Sequence, residues 1–401
     1  MLSRVVERIG ITKSGVRLFS RSPIVSIDYS HAVIGGGVVG MAIASELSKN
    51  PSNRIVVLEK NTELGQETTS RNSEVIHAGL YYPEDSLKLK LCVEGKKEIY
   101  SEKGGLIEYR NCGKWIVAQN EKEHEYLNTM YERVSKLGIP IEFVSLEEGK
   151  KLEPFIKARS AILNSPTTGI ISAHSLMNYY EYIFQKNSNG SDISLGSKVV
   201  GIELTDKLNQ EYTLKIDIID EDDLMELKVN NVINSAGLYA CDVSNLLLPA
   251  ERHFKQYYAK GNYYSFTKST PKINRLVYPC PPTKNVQSLG THLTIDLGGQ
   301  IKFGPDLEWC NSPTDYSISD QRLPLVYNDV KKYFPIVEME NLSASYSGIR
   351  PKLIEPNSEK KFQDFVIREE KDFKGFINLL GIESPGLTAS PAIGKYVAQL
   401  C

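Results

Sequence analysis

The chain has 401 residues, 47 basic and 49 acidic side chains and a formal net charge of −2, with 41% hydrophobic and 24% charged residues. That is an ordinary globular balance with room for two domains; it excludes a general attraction to nucleic acid or anionic membrane, so any anion site must be local. Six scattered cysteines without a Cys-x-x-Cys pair argue against a disulfide framework, a zinc site or an iron–sulfur cluster, and no metal site is expected.

Residues 1–26 differ from the rest. Arg4, Arg8, Lys13, Arg17 and Arg21 recur every four or five positions among Ser and apolar residues, with Glu7 the one acid. The composition predicts a mitochondrial transit peptide, and Arg17-Leu-Phe-Ser20 suits cleavage after Phe19. No window approaches the roughly 18–20 apolar residues of a membrane-spanning helix.

Ser30-His-Ala-Val-Ile-Gly-Gly-Gly-Val-Val-Gly-Met41 reads as strand, glycine turn and helix in one run. Gly35 permits the tight turn, Gly37 lets the backbone approach a pyrophosphate, and Gly40 lets the helix pack closely on the strand. The helix N-terminus then faces the phosphates. A second strand over 54–58 ends in Glu59, placed to hydrogen-bond a ribose hydroxyl of an adenine dinucleotide.

Further along, apolar spacing predicts helices over Leu87–Ser101 and 121–137, the latter ended by Gly138. Ser172 caps a helix from Ala173 to about residue 185, and 212–218 and 225–229 form a hairpin around Glu221-Asp-Asp223. The strand over 229–234 runs into Ser235-Ala-Gly237, where backbone can approach a cofactor. Near the end, a strand from Ile377 meets Gly381, a turn containing Pro385-Gly386, and a helix from about Leu387-Thr388. The free N–H groups of that helix can face an anion. The anion expected there is the N1–C2=O edge of a flavin, so the dinucleotide is expected to be FAD.

These pieces resemble the D-amino-acid-oxidase-like FAD-dependent oxidoreductases, over nearly the whole chain after residue 30. Asn72-Ser-Glu-Val-Ile-His-Ala-Gly-Leu-Tyr-Tyr82, Lys88-Leu-Lys-Leu-Cys92, Lys260-Gly-Asn-Tyr-Tyr264, Gly290-Thr-His-Leu-Thr294, Gly348-Ile-Arg-Pro-Lys352 and Gly381-Ile-Glu-Ser-Pro-Gly-Leu-Thr-Ala389 are similar to the L-2-hydroxyglutarate dehydrogenase subgroup. Glu74 stands where a glycine is common, and Leu297-Gly-Gly-Gln300 departs from the usual stretch. The resemblance implies an α/β fold (α+β overall): a Rossmann-like FAD-binding domain from 30–110, 160–245 and 350–401, and an inserted mixed-sheet substrate domain from 111–159 and 246–349.

It also implies oxidation of a small 2-hydroxy dicarboxylate to a 2-oxo acid, with a quinone, an electron-transfer flavoprotein or oxygen as the electron acceptor. The location implied is the mitochondrial matrix or the periphery of the inner membrane. An amine or glycine oxidase of the same fold and a non-catalytic flavin-binding protein are the alternatives.

Within that frame His77 is the expected catalytic base, since imidazole titrates near neutral pH. His292 is the reserve, and a packed structural histidine is the bland alternative for either. In related dimethylglycine and sarcosine dehydrogenases a similar histidine is bonded to FAD, which leaves a tether as a third role for His77. Arg350 is expected to grip a carboxylate, with Lys352 as a flanking charge and Tyr81, Tyr263 or Tyr264 as hydroxyl donors. The expected cofactor contacts are Gly35, Gly37, Gly40, Glu59, Thr69, Ser70, Asn72, Gly237, Gly381, Gly386, Leu387 and Thr388.

Overall fold

The computed structural model describes residues 27–401 except 103, 188, 282–289, 357 and 361. The expected transit peptide and its cleavage point therefore lie outside the described residues.

Among the described residues an eight-stranded sheet is built around the first strand, Tyr29–Ile34. It pairs in parallel with Ile55–Leu58 on one side and Met225–Asn234 on the other, and Met225–Asn234 pairs in parallel with Phe373–Leu380. All four residues of Ile55–Leu58 are buried, as befits a strand covered on both faces. One face carries the helices Val38–Leu47, Ala173–Lys186 and Gly386–Ala398, whose apolar sides join Val33, Val57, Ile233 and Ile377 in one core. The predicted hairpin forms as Glu211–Ile218 against Met225–Asn234. Ser172 caps its helix as expected, its Oγ accepting from the Ser175 N–H.

A second eight-stranded sheet runs in the order Leu342–Lys352, Tyr257–Phe266, Ile301–Cys310, His292–Ile295, Leu276–Pro279, Lys114–Ala118, Ala161–Ser165, Glu142–Val144. It is mixed, because Leu276–Pro279 and Lys114–Ala118 pair in parallel while the rest are antiparallel. Trp115, Phe266, Phe303 and Phe334 fill its core. The fold is thus a Rossmann-like cofactor domain carrying an inserted sheet. Two stretches depart from the expected partition: Ala161–Ser165 sits in the second sheet, held between Lys114–Ala118 and Glu142–Val144, and residues 350–352, expected in the cofactor domain, end the strand Leu342–Lys352 of that same sheet.

A small third sheet joins Val75–Ile76, Gly169–Ile171 and Tyr109–Arg110. Beside it Glu74 adopts the left-handed backbone, φ 51°, that explains why glycine would be comfortable there. The position is held by Asn72 Oδ1, which accepts from the Glu74 N–H, while Glu74 Oε1 accepts from the Ala173 N–H.

Candidate active site

A cavity of about 980 Å³ is lined from both large sheets. Its lining includes Gly35, Gly37, Glu59 and Gly237 from the glycine-turn region, and His77, Tyr263, His292, Arg350 and Glu383 from elsewhere in the chain.

The glycine turn is built by backbone need. Gly35 has φ +100°, a conformation that side-chain-bearing residues avoid, and a Cβ on Gly40 would lie 2.0 Å from the Gly35 carbonyl oxygen. Gly40 therefore does not line the cavity; it sets how closely the helix Val38–Leu47 packs behind the turn. Glu59 Oε2 accepts from the Gly36 N–H at 2.7 Å and Oε1 from the Asn61 N–H at 2.8 Å. Burial raises its pKa, and those two bonds oppose the rise. Each carboxylate oxygen keeps a lone pair for a ribose hydroxyl.

The loop 68–73 departs from expectation at one residue. Thr69 lines the cavity, its Oγ1 accepting from the Val38 N–H, and Asn72 locks the loop by donating to the Thr68 and Thr69 carbonyls. Ser70 is exposed and does not line the cavity, because its hydroxyl bonds back to the Gln66 and Glu67 carbonyls on the outer side of the turn.

At the other end of the chain, Gly386 and Leu387 line the cavity where the helix Gly386–Ala398 begins, and no side chain caps that helix. Two neighbours are corrected. Gly381, φ +66°, lies off the lining; a Cβ there would meet Gln363 and Leu353 instead. The buried Thr388 side chain turns away as well, accepting from the His77 N–H and donating to the Val75 carbonyl. Thr388 holds His77 in place; it does not line the cofactor cavity.

His77 is fastened through its backbone and one ring nitrogen. Its carbonyl accepts from Cys92 Sγ, Nε2 lies 3.1 Å from Ser384 Oγ, and Nδ1 has no protein partner among the described residues. The ring keeps some accessible surface because it faces the cavity, yet protein encloses its other sides. That enclosure, followed by the charges of Lys114 and Arg350, pushes its pKa down to about 3. The imidazole is neutral at physiological pH.

Arg350 lines the same cavity with no carboxylate within ion-pair distance among the described residues. Lys352 differs: its Nζ lies 2.7 Å from Glu383 Oε1, and Lys88 Nζ reaches the same oxygen at 3.1 Å. Burial would raise the Glu383 carboxyl, but Lys88, Lys352 and Arg350 hold it down at about 2. Tyr81 and Tyr263 line the cavity, and the Tyr263 ring stacks on Tyr346 at 4.5 Å. Tyr264, one residue on, points to the opposite face and belongs to the core of the second sheet. His292 also lines the cavity, its ring stacked on Tyr278 at 3.4 Å and 9°. Among the described residues no group of His, Cys, Asp and Glu could hold a metal, and no helix is long and apolar enough to cross a membrane.

The sequence reading missed Lys88, Lys114, Glu383 and Ser384. Lys88 had a local signal, since it falls on the buried helix face with Cys92, Gly95 and Ile99.

The glycine turn, the acidic strand end and an uncapped helix at one cavity, with a neutral histidine and a bare arginine on its wall, define a dinucleotide-dependent oxidoreductase. The chain belongs to the FAD dependent oxidoreductase (DAO) family, whose model matches residues 30–400, and FAD is its cofactor. It is 35% identical to the mitochondrial L-2-hydroxyglutarate dehydrogenase of Arabidopsis thaliana, over 92% of this chain and 82% of that one. It is 29% identical to the glycerol 3-phosphate dehydrogenase of Caloramator mitchellensis, over 92% of this chain and 73% of that one. Among solved structures it is similar to the FAD-bound L-alpha-glycerophosphate oxidase of Mycoplasma pneumoniae, with a TM-score of 0.81, 27% identity and coverage of 93% and 94%.

Proposed function

We propose that the protein oxidises L-2-hydroxyglutarate to 2-oxoglutarate. The reaction removes a hydride from C2 and a proton from the C2 hydroxyl. FAD, when bound, supplies the hydride acceptor at N5. The residues of the chain do the rest. Arg350 holds a substrate carboxylate by paired, charge-assisted hydrogen bonds, and Tyr81 and Tyr263 offer hydroxyl donors. His77 Nδ1, the ring nitrogen without a protein partner, takes the hydroxyl proton while Nε2 stays against Ser384. Neighbouring cations disfavour the imidazolium in the free enzyme; a bound dianion offsets them, so the base strengthens as the substrate arrives.

The observation that carries this reading is a half-buried neutral histidine and an arginine with no carboxylate within ion-pair distance among the described residues, on the wall of the cavity that also holds the glycine turn. The Arabidopsis relative's name supports both the substrate and a mitochondrial location, and the basic composition of residues 1–26 agrees with that location.

The test is anaerobic mixing of the FAD-loaded protein with L-2-hydroxyglutarate, D-2-hydroxyglutarate, glycerol 3-phosphate and glycine, followed by flavin bleaching. L-selective bleaching is expected. His77→Ala should slow it by about 10²–10⁴-fold, and Arg350→Ala should weaken substrate binding by about 30-fold or more. Bleaching by glycerol 3-phosphate or glycine but not by L-2-hydroxyglutarate refutes the substrate. Normal kinetics in both variants refutes the site.

A further inference from the structure

Lys114 opens the strand Lys114–Ala118 and is only 1% exposed, yet its ammonium makes no hydrogen bond or ion pair with any described residue. Its surroundings are aromatic: Nζ lies 5.0 Å from the Tyr81 ring centroid and 4.6 Å from that of Tyr278. Both rings line the cavity, and Tyr278 stacks on His292, which lines it too. Pairing of its strand with Ser165 on one side and Leu276 on the other pins the Lys114 backbone, so the strand cannot swing the charge out to water.

An ammonium enclosed without a counter-charge is costly, and two aromatic faces offset only part of that cost. Burial accordingly lowers its pKa to about 7. Among the other cations on the lining, Lys60 pairs with Glu67, Arg133 donates to the Leu80 and Tyr82 carbonyls and Arg71 stacks on Tyr316, while Lys198 and Lys360 are exposed. Lys352 and Lys88 share Glu383, which leaves Arg350 bare for one carboxylate of a substrate that has two. Near Lys114, the buried Tyr81 hydroxyl has no hydrogen-bond partner among the described residues.

Resting on the substrate class argued above, we propose that Lys114, not Lys352, supplies the charge that recognises the distal carboxylate, with the Tyr81 hydroxyl as the companion donor. Lys114 is not itself on the cavity lining, so a second acid group drawn to the Tyr81–Tyr278 wall meets its charge across those rings and supplies the counter-charge that the protein alone leaves open. The cavity thereby selects 2-hydroxy acids that end in a carboxylate over those that end in a methyl group.

The experiment compares FAD-loaded wild type with Lys114→Met on two substrates, L-2-hydroxyglutarate and L-2-hydroxyvalerate, which carries a methyl group in place of the distal carboxylate. The variant should raise the half-saturating concentration of L-2-hydroxyglutarate by about 30-fold or more and that of L-2-hydroxyvalerate by less than about threefold. A second measurement needs no turnover: glutarate binding, read as a perturbation of the flavin spectrum, should be present in wild type and lost in the variant. Lys114→Met should load FAD and melt no lower than wild type, because it removes an uncompensated charge. Equal losses on both substrates, or an unchanged preference with glutarate still bound, overturn the proposal. If wild type is not reduced by L-2-hydroxyglutarate, the preceding substrate reading fails, and the glutarate titration still decides the role of Lys114.

Discussion

Glu383→Gln isolates the one carboxylate that two buried lysines share. In wild type, Lys88 and Glu383 side chains are each 5% exposed and Lys352 17%, so the group is poorly screened by water. Gln leaves both ammonium groups against a neutral amide. Breaking a buried pair in this way costs about 3–5 kcal/mol. A ceiling comes from titration: at about pH 7.5 an ordinary lysine can shed its proton for roughly 4 kcal/mol, so neither lysine alone can cost more than about that figure.

The apparent melting temperature of the FAD-loaded variant should therefore fall by about 4–6 °C. The pH window of the dependence should also move, from the acid range to above neutrality. The depressed Glu383 pKa gives wild type a stabilisation that is full above the carboxyl's ordinary 4.5 and is lost as pH falls toward 2. Lys352, whose pKa burial already lowers in wild type, loses in the variant the carboxylate that opposes that shift, so the variant's stability should go on rising as pH climbs above neutrality. Scanning calorimetry of both proteins across pH reads this directly. A variant that melts within a degree or two of wild type at neutral pH would show that the lysines are already solvated and that the pairing argument is wrong.

Gly40→Ala should yield protein with little FAD, since the new Cβ would lie 2.0 Å from the Gly35 carbonyl oxygen; the flavin-to-protein ratio after purification checks it, and full loading refutes it. Because the His77 pKa is held at about 3, kcat/KM should show no acid limb as pH falls to about 5, while kcat, measured with the dianion bound, should show its limb at higher pH. A kcat/KM limb near the ordinary imidazole value of about 6.5 would contradict that. Thr388→Val strands the His77 N–H and the Val75 carbonyl and should cost about 1–3 kcal/mol. It should lower kcat more than it raises KM, and equal effects on both would mean that the hydroxyl does not position His77.

What the sequence made legible was local. Gly35 is demanded by the positive φ of its turn and Gly40 by its approach to the Gly35 carbonyl within one short segment, although Ser235 crowds both, and Ser172 caps the helix that it immediately precedes. Three cofactor assignments failed by facing. Ser70, Gly381 and Thr388 sit in the right segments, but which side of the backbone meets the cavity is decided by bonds to Gln66 and Glu67, by packing on Gln363 and Leu353, and by bonds to Val75 and His77. Tyr264 failed for the same reason, since a strand sends neighbours to opposite faces. The charge cluster was illegible because its members lie on separate elements, and a lysine in sequence looks solvated until a partner or its absence is seen.

The bond from Thr388 to Val75 spans 313 residues, and the strand Phe373–Leu380 completes the sheet beside Met225–Asn234. A nascent chain on the ribosome therefore holds the glycine turn long before the segment that closes the cofactor cavity has been synthesised. Contacts between such remote stretches form late and slowly. Flavin uptake should thus mark the finished polypeptide, and a product that stops short of the helix Gly386–Ala398 should emerge colourless and exposed to proteolysis.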